Sequence, residues 1–165
     1  MTQHIGLVGC GVMGFAIGSR LLETGNTLHV FDLDTAKVEA LAKKGAVACA
    51  SPAEVGEKSD AIITSLNAAK IVDIVAFGEN GIATGAKAGT LIIDMSSIDP
   101  ESTNALAAKA REMSLKWVDS PLSGGAPKAL TGELTLMAGG TEEDVAEAHT
   151  VLKHISSNYT HMGPS

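Results

Sequence analysis

The sequence predicts an α/β fold, a single domain built on a doubly wound, mostly parallel sheet. Three observations predict it. Short apolar strand patterns alternate with helical patterns along all 165 residues. A glycine turn, Gly9-Cys10-Gly11-Val12-Met13-Gly14, separates the first strand pattern from the first helical one. The next strand pattern, Leu28-His29-Val30-Phe31, ends in an acid, Asp32.

Strand, G-x-G-x-x-G, helix, strand and acid, in that order, form the fingerprint of a dinucleotide-binding turn. Gly9 permits the tight turn, Gly11 lets backbone approach a pyrophosphate, and Gly14 lets helix and strand pack closely. Amides at the helix N-terminus face the phosphates, and Asp32 is placed to accept hydrogen bonds from ribose hydroxyls. The competing reading is a glycine turn that serves packing alone. Cys10 reads as a small residue tolerated in the turn rather than a redox group.

The remaining elements follow in order. Phe15 to Thr24 is a helix with Ala16, Ile17, Leu21 and Leu22 toward the sheet, closed by Gly25-Asn26. Asp34 caps a helix from Thr35 to Lys44, with Val38, Leu41 and Ala42 inward and Gly45 ending it. Ala46 to Ala50 is a short third strand. Ser51-Pro52-Ala53-Glu54 is a capping box with proline at the first helical position. Asp60 to Leu66 is apolar enough for a central parallel strand, followed by a helix from Ala69 to Ala76. Thr90 to Asp94 is the fifth strand, and Asp99-Pro100 opens a helix from Glu101 to Met113. Leu115 to Val118 is the sixth strand. Leu134 to Ala138 and Tyr159 to His161 are strands around a helix from Thr141 to His154, with Thr141 as its cap.

Composition narrows the function classes. The chain is 45% hydrophobic, 3% aromatic and carries 18 glycines, with a formal charge of -7 and a pI near 5.1. The absence of a basic run argues against nucleic acid, and no apolar stretch reaches membrane-spanning length. Cys10 and Cys49 lack metal or redox spacing, no metal-ligand set stands out, and no signal peptide precedes the first strand. A reducing, cytoplasmic setting is therefore expected.

Ligands in such folds lie beyond the carboxyl ends of the strands. Four segments fall there: the glycine turn, Leu66-Asn67-Ala68, Met95-Ser96-Ser97 and Asp119 to Gly125. Ser123-Gly124-Gly125 offers a hydroxyl and exposed amides suited to a substrate carboxylate, or is simply a turn rich in glycine and proline. Ser96 and Ser97 either contact a cofactor or cap their own turn. Leu66-Asn67 lies over the adenine–ribose side or the nicotinamide side of the groove.

Taken together, Ile5 to Gly14, Phe77-Gly78-Glu79-Asn80-Gly81, Asp94-Met95-Ser96-Ser97-Ile98-Asp99-Pro100, and Asp119 to Gly125 followed by Ala129, Gly132 and Leu134 resemble the β-hydroxyacid dehydrogenase family. That family includes 3-hydroxyisobutyrate dehydrogenase, tartronate semialdehyde reductase and L-threonate dehydrogenase, with 6-phosphogluconate dehydrogenase more distant. The resemblance covers the whole chain and identifies it as the N-terminal NAD-binding domain. It implies a Rossmann-type domain over residues 1–165. Gly9, Cys10, Gly11, Val12, Met13 and Gly14 would sit on the pyrophosphate and Asp32 on the ribose. Leu66, Asn67 and Ser96 would touch the cofactor, and Ser123, Gly124 and Gly125 would hold the substrate carboxylate. Many relatives carry Pro where this chain has Asn67, whereas the threonate-like branch is closer to Leu66-Asn67-Ala68-Ala69.

The family's catalytic lysine lies on a helix beyond the sheet domain, in a mostly helical second domain that also makes the dimer. The chain ends at His161-Met162-Gly163-Pro164-Ser165, before that helix. The resemblance thus implies the cofactor half of a homo-oligomeric NAD-dependent dehydrogenase. Its substrate would be a small carboxylate-bearing hydroxy acid of the 3-hydroxyisobutyrate, 2-hydroxy-3-oxopropionate (glycerate) or threonate type. No catalytic residue of the family falls within the 165 residues, so turnover by this chain alone is not expected. Lys128 is either a solvated charge or a substitute acid/base, and His4, His29, His149, His154 and His161 read as structural or solvated. NAD is expected over NADP, because Asp32 repels a 2'-phosphate and Leu33 stands where NADP-preferring relatives often carry Arg. Two other classes compete: a non-catalytic NAD-binding sensor or regulatory domain, and an assembly module whose glycines only pack. The Ser123-Gly124-Gly125 loop favours the dehydrogenase, since a sensor needs no carboxylate cradle.

Overall fold

A computed structural model describes residues 3–165. The elements alternate as expected: β1 (His4–Val8), α1 (Val12–Glu23), β2 (Thr27–Phe31), α2 (Thr35–Ala42), β3 (Val47–Ala48), α3 (Pro52–Lys58), β4 (Ala61–Thr64), α4 (Ala69–Phe77), α5 (Ile82–Gly85), β5 (Leu91–Asp94), α6 (Pro100–Glu112), β6 (Lys116–Asp119), β7 (Leu122–Ser123), α7 (Gly125–Thr131), β8 (Leu134–Gly139), α8 (Glu142–Leu152) and β9 (Ser156–Gly163). The strand order is β3-β2-β1-β4-β5-β6-β8-β7, with β9 on β8. β3 through β6 are parallel. The strand order therefore reverses between β1 and β4, which is the switch point of a doubly wound sheet.

Side-chain oxygens start the helices where the sequence placed them. Asp34, Ser51, Asp99 and Thr141 accept from the amides of Ala36, Glu54, Ser102 and Asp144, each satisfying a donor the first turn leaves free. Each sheet face then buries its own apolar cluster. Ile5, Leu7, Leu28, Val30, Ile63 and Ile93 pack with Ile17 and Leu21 of α1, Leu41 of α2 and Val151 of α8. Val8, Ile62, Ile92 and Trp117 pack with Val55, Val72, Ile82 and Leu106 on the other face. Fully burying one such Leu or Ile contributes roughly 1.5–3 kcal/mol. The middle of the sheet is consequently its firmest part.

Departures from the expected elements cluster at the sheet edges. The third strand has two residues rather than five, because it pairs only with β2 and both its side chains are exposed. β9 is longer than Tyr159 to His161; its edge position leaves most side chains in solvent, so no apolar alternation marks its ends. β8 runs antiparallel to β6 and β7 and parallel to β9. The segments Leu122–Ser123 and Gly125–Thr131 add a strand and a helix where a loop was expected. Gly124, Gly125 and Pro127 carry turn chemistry in sequence, yet α7 packs on α1. Arg20 fastens the far end of that pair: its Nε donates to the His154 carbonyl at 2.9 Å. Gly132, which closes α7, leaves room for the guanidinium; a Cβ there would lie 2.8 Å from Arg20 Nη2.

Candidate dinucleotide site

The three glycines of the turn have separate reasons to be glycine. Gly9 has φ +101°, and a Cβ on it would lie 2.2 Å from the Ser65 carbonyl oxygen of the loop after β4. A Cβ on Gly14 would lie 1.9 Å from the Gly9 carbonyl oxygen. Both glycines are thus demanded by the fold. A Cβ on Gly11 would meet nothing within 4 Å, so the protein's own packing does not explain this glycine. The open space lies at the start of α1, where Phe15 N–H closes the first turn on the Gly11 carbonyl at 2.8 Å. First-turn amides without helical partners and the positive end of the helix dipole suit an anion there.

Asp32 is tied to this turn. Its Oδ2 accepts from Cys10 N–H at 2.7 Å and its Oδ1 from Asp34 N–H at 2.8 Å. A carboxylate oxygen has two lone pairs, so each oxygen keeps capacity for another donor. The acid and the glycine turn therefore hold a fixed relative position. Cys10 contributes through its backbone, while its buried thiol turns toward the Phe31 carbonyl at 3.6 Å. Burial, reinforced by the Asp32 charge, pushes that thiol up to about 12, so it is unreactive at neutral pH. Val12 stands in solvent at the start of α1, and Met13 packs against the core.

Across β1 from Asp32 lie the ends of β4 and β5. Ser96 is buried, and its Oγ accepts from Leu66 N–H at 2.9 Å, which joins the loops after the two strands. Ser96 N–H donates in turn to Asp94 Oδ1 at 3.1 Å. Thr64 Oγ1 donates to the same oxygen at 2.8 Å. Burial raises the Asp94 carboxyl above the usual carboxylate range; hydrogen bonds from Ser96 and Thr64 oppose this, and the Asp119 charge adds to it. Neither Thr64 nor Asp94 is among the site residues that the sequence predicts. The available signal was an acid ending the otherwise apolar run Leu91-Ile92-Ile93.

Two clefts open at this edge. One, of about 720 Å³, is lined by Ser96, Ser97 and Asp99 together with Asp119, Pro121 and Ser165. The other, of about 460 Å³, includes Cys10, Gly11, Val12, Lys37, Ala126 and Leu130. Ser123 and Gly124 are exposed, and neither they nor Gly125 lines either cleft. Gly124 and Gly125 both have positive φ, +124° and +70°, and lead directly into α7.

A family model describing the NAD binding domain of 6-phosphogluconate dehydrogenase matches residues 4–163. The chain belongs to this family. It is similar to 2-(hydroxymethyl)glutarate dehydrogenase of Eubacterium barkeri, with 42% identity over 96% of the chain and 53% of that protein. L-threonate dehydrogenase of Cupriavidus necator matches at 36% identity over 99% of the chain and 55% of that protein. Among solved structures, a 3-hydroxyisobutyrate dehydrogenase of Mycobacterium tuberculosis with L-serine superposes with a TM-score of 0.95. Its identity is 27%, over 100% of this chain and 56% of that one. The chain spans about half the length of the curated relatives it matches.

In this NAD-binding domain Lys128 and the histidines His4, His29, His149 and His161 have partners outside the turn and the Ser96 loop. Lys128 Nζ pairs with Glu133 Oε2 at 3.1 Å, with both side chains about half exposed. His4 Nδ1, at the amino end of β1, and His29 Nε2, in the middle of β2, lie 3.3 Å apart. His149 stacks on Tyr159, and His161 Nε2 meets the carbonyls of Gly140 and Gly163. Among the described residues no group of three or more His, Cys, Asp or Glu could hold a metal ion. No described helix is long and apolar enough to cross a membrane.

Proposed function

We propose that this NAD-binding domain is the cofactor half of a dehydrogenase acting reversibly on a small carboxylate-bearing hydroxy acid. Bound NAD would supply the hydride acceptor, its nicotinamide ring. The chain's own residues would orient it across the switch point. Asp32 would hold the adenosine ribose, the Gly9–Gly14 turn the pyrophosphate, and Leu66, Asn67 and Ser96 the nicotinamide half. Ser123, Gly124 and Gly125 would take the substrate carboxylate. The acid/base lysine and the second wall of the pocket would come from the other half of an enzyme as long as the relatives, which would also make the homo-oligomer contacts. Substrates named for the relatives, 2-(hydroxymethyl)glutarate and L-threonate, support a small hydroxy acid.

The observation that carries this reading is the empty space at Gly11. A glycine that no neighbour requires, at a helix start beside a fixed acid, is explained by a ligand that occupies the place of its missing side chain. Calorimetric titration of the chain with NAD and NADP tests it. Tighter binding of NAD is expected, since Asp32 repels a 2'-phosphate and Leu33, 92% exposed, offers no cation. Tighter binding of NADP would overturn the Asp32 argument, and binding of neither would overturn the cofactor assignment.

A further inference from the structure

The last residues of the central strands form one transverse row. Val8 pairs in register with Thr64, Thr64 with Asp94, Asp94 with Asp119, and Asp119 with Gly139. Below this row β4 and β5 are wholly apolar and buried. In the row itself stand a hydroxyl and two carboxyls, with Thr64 0% and Asp94 1% exposed. Placing an acid in the most buried register of a sheet is costly unless its oxygens find donors. A carboxyl that merely pinned the strands together would spend its hydrogen bonds within the sheet. Asp94 directs one out of it: its Oδ1 takes Ser96 N–H as well as the Thr64 hydroxyl, and Ser96 Oγ in turn takes Leu66 N–H. One carboxyl oxygen therefore lies beneath both loops, Leu66–Ala68 and Met95–Ser97.

We propose that Asp94 is a positioning residue for the nicotinamide half of the site, setting the spacing of these two loops through Thr64 and Ser96. The inference rests on the dinucleotide reading above and adds to it a residue that touches neither cofactor nor substrate. Asp94 Oδ2 and Asp119 Oδ1 are buried without hydrogen-bond partners, on in-register neighbours of adjacent strands, whose spacing is about 4.8 Å. Gly139 makes room on the far side, since a Cβ there would lie 2.7 Å from Asp119 Oδ1. Burial raises the Asp94 carboxyl above the usual carboxylate range, while its Oδ1 accepts from the supports of both loops.

The test compares NAD with ADP-ribose, which lacks the nicotinamide, by calorimetry on this chain and its variants. The wild-type chain should bind NAD more tightly than ADP-ribose. Asp94→Ala should lower NAD affinity about tenfold and leave ADP-ribose affinity within about twofold of wild type. Asp94→Asn, whose amide oxygen can still accept from Ser96 N–H and the Thr64 hydroxyl, should keep NAD affinity within about threefold of wild type. Should Asp94→Ala fail to fold, Thr64→Val removes one donor to Oδ1 at nearly constant shape and should lower NAD affinity alone by about threefold. Equal loss of both ligands in the variant that folds would make the role purely structural and overturn the proposal. An unchanged NAD affinity, or a wild-type chain with no preference for NAD, would overturn it too. Asp94→Asn as impaired as Asp94→Ala would overturn the role given to the Oδ1 hydrogen bonds. A wild-type chain that binds ADP-ribose isolates these failures from that of the dinucleotide reading itself.

Discussion

On the β2 side of β1 the groove is made of main chain. The start of α1 offers first-turn amides, the shape of the turn comes from Gly9 and Gly14, and Asp32 is held by two backbone N–H groups. On the β4 side the groove is made of side chains: Thr64, Asp94 and Ser96 hydrogen-bond one another and fix the loops above them. On the proposed function, the difference follows from what each half would hold. A pyrophosphate carries diffuse negative charge that backbone amides and a helix dipole match without side chains. A nicotinamide ring and a reacting carbon need placement to a fraction of an ångström, which calls for locked supporting groups. Damage to the first half should therefore depend on space, and damage to the second on hydrogen bonds.

Four substitutions break or sharpen this contrast. The largest effect belongs to Gly14→Ala, whose Cβ would meet the Gly9 carbonyl at 1.9 Å. We expect a loss of about 3 kcal/mol or more in urea-induced unfolding, with cofactor binding lost alongside. Gly11→Ala uses the same chemical change three residues away and should separate the two. Stability should stay within about 0.5 kcal/mol of wild type, while NAD affinity in a calorimetric titration falls on the order of a hundredfold. If Gly11→Ala unfolded the chain as readily as Gly14→Ala, the open space at Gly11 would not belong to a ligand.

Ser123→Ala addresses the substrate end, in a whole enzyme containing this domain. Losing a hydrogen bond to a charged group costs roughly 1.5–3 kcal/mol, or about ten- to a hundredfold in kcat/KM, and NAD affinity should be untouched. A variant that lost NAD as severely as Gly11→Ala would move Ser123 into the cofactor site. Lys128→Met should do least. Its ion pair with Glu133 is solvated and screened, so both the unfolding midpoint and NAD affinity should match wild type. A preparation of the chain alone that turned over a hydroxy acid, and lost that turnover in Lys128→Met, would make this lysine the acid/base.

The two halves also differed in how far the amino-acid sequence revealed them. Gly9 and Gly14 stand at a fixed spacing because local backbone geometry requires glycine there, Gly11 and Asp32 complete the same short pattern, and spacing is what a sequence displays. The switch point was legible for the same reason, from alternating strands and capped helices. The sequence alone does not show that the loop carrying Leu66 and Asn67 and the acid Asp32 stand on opposite flanks of β1, which follows from the strand order. Thr64 and Asp94 are 30 residues apart, and nothing in either stretch announces that they share a hydrogen bond. α7 was hidden by its own composition: glycine and proline there build a short helix, which tertiary packing against α1 holds in place.

The Arg20 clasp bears on how the chain reaches this structure. It joins the first helix to a carbonyl 134 residues away, one of the longest closures available to a chain of 165 residues. Contacts of such separation gain nothing until the intervening chain has been gathered, so they form late on the folding route. Bonds absent from the transition state act mainly on the rate of escape from the native state. On this reasoning Arg20 is a latch more than a nucleus: removing it should speed unfolding more than it slows folding, because its bond ties α1 to the turn after α8.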